Sequence, residues 1–296
     1  MTQTSEESVC RLTLPLYGGG EVSIQDQTGG RIEPLAALLG LPFENKGAAK
    51  ASAVFLRKST EFPRGGVVVY QAKSGNFALH WMPQEKRFDL YPADALFEDP
   101  ISKVRLWHYA TVCAGIAAQL QGLPCLLIHG AMLLCQKGAI VLLGESRIGK
   151  STTSNRWKRC GHSAPADDML LLEFSSKGCF AHALPTWSRQ MQVPEHLEKA
   201  ELSAGQAVPV VRVLGLGRGK ERESVEEISR VDYFGQIARS SFFHCRGIVK
   251  LLPEEERKMF SEHIASMGER LAERFPSRAL FAHLDGDLEA TLADNG

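Results

Sequence analysis

The part of the sequence that most constrains the fold is residues 138–173, which contain a phosphate-binding motif. The apolar residues 139–143 run into GESRIGKS at residues 144–151, which matches G-x-x-x-x-G-K-[ST] at every fixed position. In such a loop the glycines let successive N–H groups point inward, and the following helix adds its positive end. The motif therefore predicts a strand–loop–helix unit that binds a nucleoside triphosphate. The alternative is a plain glycine turn.

The motif also assigns contacts to individual side chains. Lys150 is placed to reach the β- and γ-phosphates, and the Ser151 hydroxyl is placed to ligate Mg²⁺. ATP and Mg²⁺ are therefore the predicted cofactors. The predicted nucleotide-binding residues are the loop and the start of the helix, namely Gly144, Glu145, Ser146, Arg147, Ile148, Gly149, Lys150, Ser151 and Thr152.

Two adjacent carboxylates, Asp167 and Asp168, open the next apolar segment, residues 169–172. Pro165 just before them argues against a central strand that continues toward the N-terminus. Adjacent carboxylates can divide two tasks, one holding Mg²⁺ and the other accepting a proton. We assign Asp167, with Ser151, to the metal and Asp168 to the proton, although the two roles can be exchanged. The alternative is a solvated turn, where Asp is common.

Three motifs occur in a fixed order along the chain: His129-Gly130, then GESRIGKST, then Ala166-Asp167-Asp168. In this order they resemble the HPr kinase/phosphorylase family over about residues 124–175, and within it the related proteins of the SynChlorMet peptide-modification cassette. The resemblance implies a phosphate loop of the phosphoenolpyruvate-carboxykinase type. It also implies that His129 lies beside the metal and the phosphates. Arg147 stands where the family usually has glycine.

The resemblance implies an ATP-dependent kinase that phosphorylates a Ser or Thr hydroxyl of a peptide or small-protein acceptor. Its catalytic residues would then be Asp168, Lys150 and His129. Two other functions stay open. One is a nucleotide-gated binding or scaffold protein with little transfer activity, which Arg147 slightly favours, and the other is a small-molecule kinase.

Composition limits the partners and the compartment. Lys+Arg and Asp+Glu both number 34, so net charge does not favour nucleic acid or a membrane surface as a partner. No apolar run approaches the roughly 20 residues of a transmembrane helix, and the polar N-terminus does not read as a signal peptide. Seven cysteines without C-x-x-C spacing fit reduced thiols. A cytoplasmic location is expected, and the oligomeric state, including a homo-oligomer, stays open.

The predicted fold class is α/β, a mixed-sheet phosphate-loop core of the phosphoenolpyruvate-carboxykinase/HPr-kinase type with a β-rich N-terminal region. The N-terminal region is residues 1–98, with short strands in which Trp81, Tyr70 and Tyr91 either pack or line a peptide groove. The core is residues 99–296 and begins with a helix at Pro100. Farther on, the pattern Ser-Val-Glu-Glu at 224–227 predicts the start of a helix, and residues 247–252 a strand.

Overall fold

The computed structural model describes residues 10–16, 21–28, 43–44, 54–57, 67–72, 75–98, 100–184, 206–218 and 221–293. Within these ranges the chain forms two mixed seven-stranded sheets and five α-helices. This arrangement confirms the α/β class.

The first sheet is built from the N-terminal third and runs in the order β3-β1-β2-β4-β7-β6-β5. Its outer pairs are antiparallel, whereas β4 lies parallel to both of its neighbours, β2 and β7. The region is therefore rich in β-structure, as its alternating apolar residues predict. Its strands are β1 (Cys10–Pro15), β2 (Glu21–Asp26), β3 (Phe43–Glu44), β4 (Val54–Leu56), β5 (Val67–Ala72), β6 (Gly75–Met82) and β7 (Arg87–Pro92).

The second sheet runs in the order β11-β10-β8-β9-β12-β14-β13, and β11 also pairs with β12. Because of that extra pairing, strands β11-β10-β8-β9-β12 close into a ring, in which the long strands β8 and β12 change partners along their length. The strands are β8 (Cys125–Cys135), β9 (Gly138–Leu143), β10 (Met169–Ser175), β11 (Gly178–Ala183), β12 (Ala207–Gly217), β13 (Ser224–Glu227) and β14 (Arg278–Phe281).

Five helices cover the sheets: α1 (Pro100–Leu120), α2 (Lys150–Arg159), α3 (Arg230–Val249), α4 (Glu254–Arg274) and α5 (Leu288–Ala293). Helix α1 packs against β2 and β7 of the first sheet and also against β8, α3 and α4. Small buried residues such as Ala110, Ala114 and Ala117 let it fit between these layers. One buried apolar cluster contains residues of both sheets, for example Leu90 and Leu126. None of the described helices has the length and apolar character to span a membrane.

Two sequence predictions in the C-terminal third are wrong. Residues 224–227 form strand β13, because the antiparallel neighbour β14 offers them a full set of ladder partners. The helix begins instead at Arg230, where the Ser229 hydroxyl accepts a hydrogen bond from the N–H of Asp232. Residues 247–249 are the last turn of that helix, not a strand.

Candidate active site

The three sequence motifs meet where strand β8 changes partners. His129 lies opposite Met169, the first residue of β10, and Gly130 lies opposite Leu143, the last residue of β9. The residues next to these partners are Asp168 and Gly144. The ring of strands therefore places His129, the start of the phosphate loop and the second Asp side by side. Gly130 is required here, since an added Cβ would lie 2.8 Å from the carbonyl oxygen of Leu142.

The phosphate loop, residues 144–151, has the backbone that its glycines predict. Gly149 has a φ of 122° and is the N-cap of α2. Arg147 has a φ of 66°, a left-handed conformation that favours glycine, so the position where the resembling family has Gly keeps a glycine-like backbone. The guanidinium of Arg218 donates hydrogen bonds to the carbonyl oxygens of Ile148, at 3.1 Å, and of Arg147.

The N-terminus of α2 is open to an anion. Gly149 has no side chain to cap the helix, and the first turn of α2 carries no acidic residue. Ser151 and Thr152 are exposed, as are Glu145–Arg147 at the tip of the loop. A helix end of this kind offers N–H groups and the positive end of the macrodipole, so the loop fits triphosphate oxygens.

Lys150 lies buried beneath the loop, with 5% of its surface exposed. Its Nζ lies 2.8 Å from each of three acceptors, the carbonyl oxygens of Gly144 and Glu145 and the Nε2 of His129. Burial lowers the pKa of Lys150 to about 8, although the charges of Asp168, Asp167 and Glu145 oppose this shift. The ammonium is thus mostly protonated at pH 7.

His129 connects Lys150 to Asp168. Because an ammonium has no acceptor, the Nε2 of His129 accepts from Lys150, and the neutral imidazole then carries its hydrogen on Nδ1. That Nδ1 lies 2.9 Å from the carbonyl oxygen of Asp168, 3.3 Å from its Oδ1 and 2.8 Å from the Nε2 of His244. The pKa of His129 is lowered, mainly by burial, so the ring is neutral at pH 7. The ring of Phe243 stacks on the imidazole of His129, with 4.1 Å between the ring centroids.

Asp168 is held as a carboxylate. Burial by itself raises its pKa, but the contacts of Asp168 with His129 and His244 outweigh this effect and hold the pKa of Asp168 well below its usual range. The His244 Nε2 lies 3.6 Å from Oδ1 of Asp168. Lys150, His129 and Asp168 therefore form one chain of contacts that runs from an ammonium to a carboxylate.

Helix α3 supplies residues that sequence reasoning missed. Ser240 accepts a hydrogen bond from the N–H of Gly144 at 3.2 Å, and His244, one turn later, contacts His129 and Asp168. With Gln236 these residues make a polar stripe at i, i+4 and i+8. Such spacing on a helix that packs against a sheet is the signal that would have indicated them.

Helix α1 contributes His108, which also was not predicted. Its ring lies edge-on to that of His244, with 5.0 Å between centroids. Burial, and next the charge of His244, lower the pKa of His108 to about 4, so this imidazole is neutral at pH 7. The Nδ1 of His108 is buried and has no hydrogen-bond partner among the described residues.

The structure thus brings together Lys150, His129 and Asp168. Asp167 lies near enough for its charge to raise the pKa of Lys150.

Tyr91 is buried, so for this residue the packing interpretation is correct. Trp81 packs on Phe88 with 4.6 Å between ring centroids, but it is half-buried and also lines a surface pocket with Leu251 and Pro253, so the choice between packing and a groove stays open for Trp81. The side chain of Tyr70 lies outside the described residues.

The comparison with protein families agrees with the motifs. The family model described as SynChlorMet cassette protein ScmC matches residues 96–292. No curated protein matches the chain significantly. Among solved structures, the Hpr(Ser) kinase/phosphatase from Coxiella burnetii is similar to this chain with 19% sequence identity. That similarity covers 34% of this chain and 77% of the other, with a TM-score of 0.26.

Proposed function

Because the chain belongs to the ScmC family of SynChlorMet cassette proteins, as its motifs predicted, we propose that it is an ATP-dependent kinase. The acceptor is a Ser or Thr hydroxyl of a peptide or small protein, modified within a peptide-modifying cassette. The fold of the nucleotide-binding part is then a phosphate-loop core of the phosphoenolpyruvate-carboxykinase/HPr-kinase type.

One observation carries the proposal: an ammonium, a neutral imidazole and a carboxylate are linked directly beneath a phosphate loop. Lys150 contacts His129 at 2.8 Å, and His129 contacts Asp168 through Nδ1. Phosphoryl transfer depends on positioning and on compensating the negative charge of the phosphates, and these groups supply both. A loop with a purely structural role would not require a buried lysine linked through an imidazole to a half-buried carboxylate.

The donors present fit a Mg²⁺ nucleotide. Lys150 and the N–H groups of the phosphate loop would hold the β- and γ-phosphates, at the uncapped N-terminus of α2. The exposed hydroxyl of Ser151 and the carboxylate of Asp167 are the oxygen ligands that Mg²⁺ prefers. When bound, Mg²⁺ neutralises charge on the phosphates and favours their transfer.

Asp168 takes the proton in the transfer step. A bond forms between the acceptor oxygen and the γ-phosphorus, while the bond from that phosphorus to the bridging oxygen of ADP breaks. The hydroxyl proton passes to the carboxylate of Asp168, and ADP leaves. Because its pKa is low, Asp168 is ionised throughout the neutral range and accepts this proton late, once the acceptor oxygen bonds to phosphorus. Asp167 is the other candidate for this role.

The test is transfer of label from γ-labelled ATP, with Mg²⁺, to the precursor peptides of the same cassette and to a Ser/Thr peptide library. A matched library with Ala in place of Ser and Thr is the control. Label in the first set alone supports the proposal. ATP binding by calorimetry without transfer to either set would instead favour the nucleotide-gated binding protein.

Two isosteric variants test the carboxylates. Asp168→Asn should lower transfer by about 10²–10⁴-fold and leave ATP affinity nearly unchanged, since it removes the proton acceptor but keeps the size of the side chain. Asp167→Asn should raise the Mg²⁺ concentration needed for half-maximal rate. Full activity in both variants would rule out a catalytic role for the pair.

A further inference from the structure

A second group of metal-ligating atoms lies on the side of Asp168 that faces α1. One nitrogen of His108, one nitrogen of His244 and one carboxylate oxygen of Asp168 all lie within 4.8 Å of one another. The three residues come from α1, α3 and the residue before β10. Within the described part of the chain, these side chains therefore form a cluster that could hold a metal ion.

The geometry is close to that of a coordination sphere. Ligands about 2.0–2.1 Å from a tetrahedral metal lie about 3.4 Å apart. The His244 Nε2 lies 3.6 Å from Oδ1 of Asp168, so this pair needs almost no movement. The His108 nitrogen lies within 4.8 Å of the other two ligand atoms, so it must approach them by at most about 1.4 Å to reach the tetrahedral separation. The side chains of His244 and Asp168 are 9% and 18% exposed, so the site is shielded and yet reachable.

We propose that His108, His244 and Asp168 bind a first-row transition-metal dication, with Zn²⁺ as the representative ion. Two imidazoles and one carboxylate are a common ligand set for such ions and leave a position for water. The buried Nδ1 of His108, which has no hydrogen-bond partner among the described residues, is a second observation that points to a ligand.

This site differs from the proposed Mg²⁺ site in both residues and chemistry. Mg²⁺ prefers oxygen ligands and keeps several waters, so two imidazoles select against it. The Mg²⁺ ligands proposed above are Ser151 and Asp167, which do not belong to the cluster. Asp168 belongs to both proposals, so a metal bound to its carboxylate would leave the proton-accepting role to Asp167, the other candidate for it.

Metal binding has a consequence for the phosphate loop. The His244 Nε2, which faces Asp168, now lies 2.8 Å from Nδ1 of His129. A metal that takes this lone pair removes an acceptor from His129, the residue that contacts Lys150. Occupation of the site is thereby connected to the environment of Lys150 through one imidazole.

The test uses Co²⁺ as a spectroscopic probe and Zn²⁺ as the competitor, in the full chain after treatment with a chelator. The parent should bind one Co²⁺ with visible ligand-field bands, and one equivalent of Zn²⁺ should abolish them. His108→Gln and His244→Gln should each weaken Zn²⁺ binding by more than about 100-fold, since the loss of outer-sphere partners alone costs 10–100-fold. Excess Mg²⁺ should not displace Co²⁺.

His162→Gln is the matched control, because His162 lies at the surface, 3.0 Å from Glu289 and two residues from the exposed Cys160. It should bind Co²⁺ like the parent. A parent without bands, bands retained in both His108→Gln and His244→Gln, or bands lost in His162→Gln would each overturn the proposal. Thermal melts in chelator establish that each variant is folded. If His108→Gln does not fold, His244→Gln and Asp168→Asn decide by the same criterion.

Discussion

Replacing Glu223 by Gln tests whether a buried ion pair anchors the helix that begins at Lys150. Arg156, in the second turn of α2, donates to both carboxylate oxygens of Glu223, with 3.1 Å between Nη2 and Oε1. Glu223 also accepts from the N–H of His283 at 3.1 Å, and Arg156 donates to the carbonyl oxygen of Gly286 at 2.6 Å. The two side chains are only 2% and 11% exposed. The pair therefore ties α2 to two separate segments.

The expected fall in Tm follows from the burial of the ion pair and from the length of the chain. Removing one partner of a buried ion pair costs roughly 3–5 kcal/mol, because the other charge is left uncompensated. Gln keeps one acceptor oxygen, so we expect the lower value, about 3 kcal/mol. An unfolding entropy of roughly 2.1 cal/mol/K per residue gives about 0.6 kcal/mol/K for 296 residues. Glu223→Gln should therefore lower Tm by about 5 °C.

The assay is thermal and urea unfolding, with an exposed ion pair of the same chemistry as control. Arg239 and Glu145 lie 3.1 Å apart with side chains 57% and 69% exposed, so Glu145→Gln should cost less than about 1 kcal/mol. The double variant Arg156→Met, Glu223→Gln should be less destabilised than the sum of the single variants, by about 2 kcal/mol. If Glu223→Gln destabilises no more than Glu145→Gln, the buried-anchor reasoning is refuted.

Three further predictions concern the phosphate loop. Lys150→Met should keep the fold and weaken ATP–Mg²⁺ binding by about tenfold to a hundredfold, because hydrogen bonds from a charged donor are lost. Equal ATP affinity of variant and parent by calorimetry would contradict the assignment of the phosphate loop. ATP affinity should fall about twofold at pH 8 and about tenfold at pH 9 relative to pH 6. The reason is that Lys150 loses its proton near pH 8 in the free protein, whereas a bound phosphate keeps the lysine charged. Lys150→Met should abolish this pH dependence. Arg147→Gly should leave Tm within about 2 °C of the parent value, because the φ of 66° at this position suits glycine, and it should change ATP affinity. A large fall in Tm with unchanged affinity would make Arg147 a structural residue.

Much of the site follows from sequence because its motifs adjoin strands. His129, Gly144 and Asp168 each lie in or directly beside a strand whose apolar residues are recognisable, and pairing of β8 with β9 and β10 brings them together. The strand–loop–helix order of the phosphate loop likewise leaves few alternatives for its backbone.

His108 and His244 could not be found in this way. Their approach to Asp168 depends on how α1 and α3 pack over the second sheet, and they are separated by more than 130 positions in the chain. Spacing along the sequence carries no information about such a contact. The polar stripe Gln236, Ser240 and His244 carries some, but only once the bounds of α3 are known.

The misplaced start of α3 has a related cause. Residues 224–227 and residues 229–232 both place a serine three residues before an acidic side chain, so both resemble a helix start. Pairing of β13 with β14 decides between them. That choice is tertiary and is not encoded in the local pattern.

The internal contacts of Lys150 compete with any phosphate oxygen for the ammonium of this residue. All three ammonium hydrogens are already satisfied by Gly144, Glu145 and His129. Under the proposed function, a nucleotide would therefore bind by exchange, and each phosphate oxygen that contacts Lys150 would displace one of these internal acceptors. The apparent dissociation constant equals the intrinsic dissociation constant divided by the fraction of molecules in which Lys150 has left its internal acceptors. Each 1.4 kcal/mol that favours the internally bonded lysine therefore raises the apparent dissociation constant about tenfold. If the chain binds ATP as proposed, the concentration of ATP that half-saturates it is thus set partly by the two backbone carbonyls and the imidazole that hold Lys150 in the absence of nucleotide.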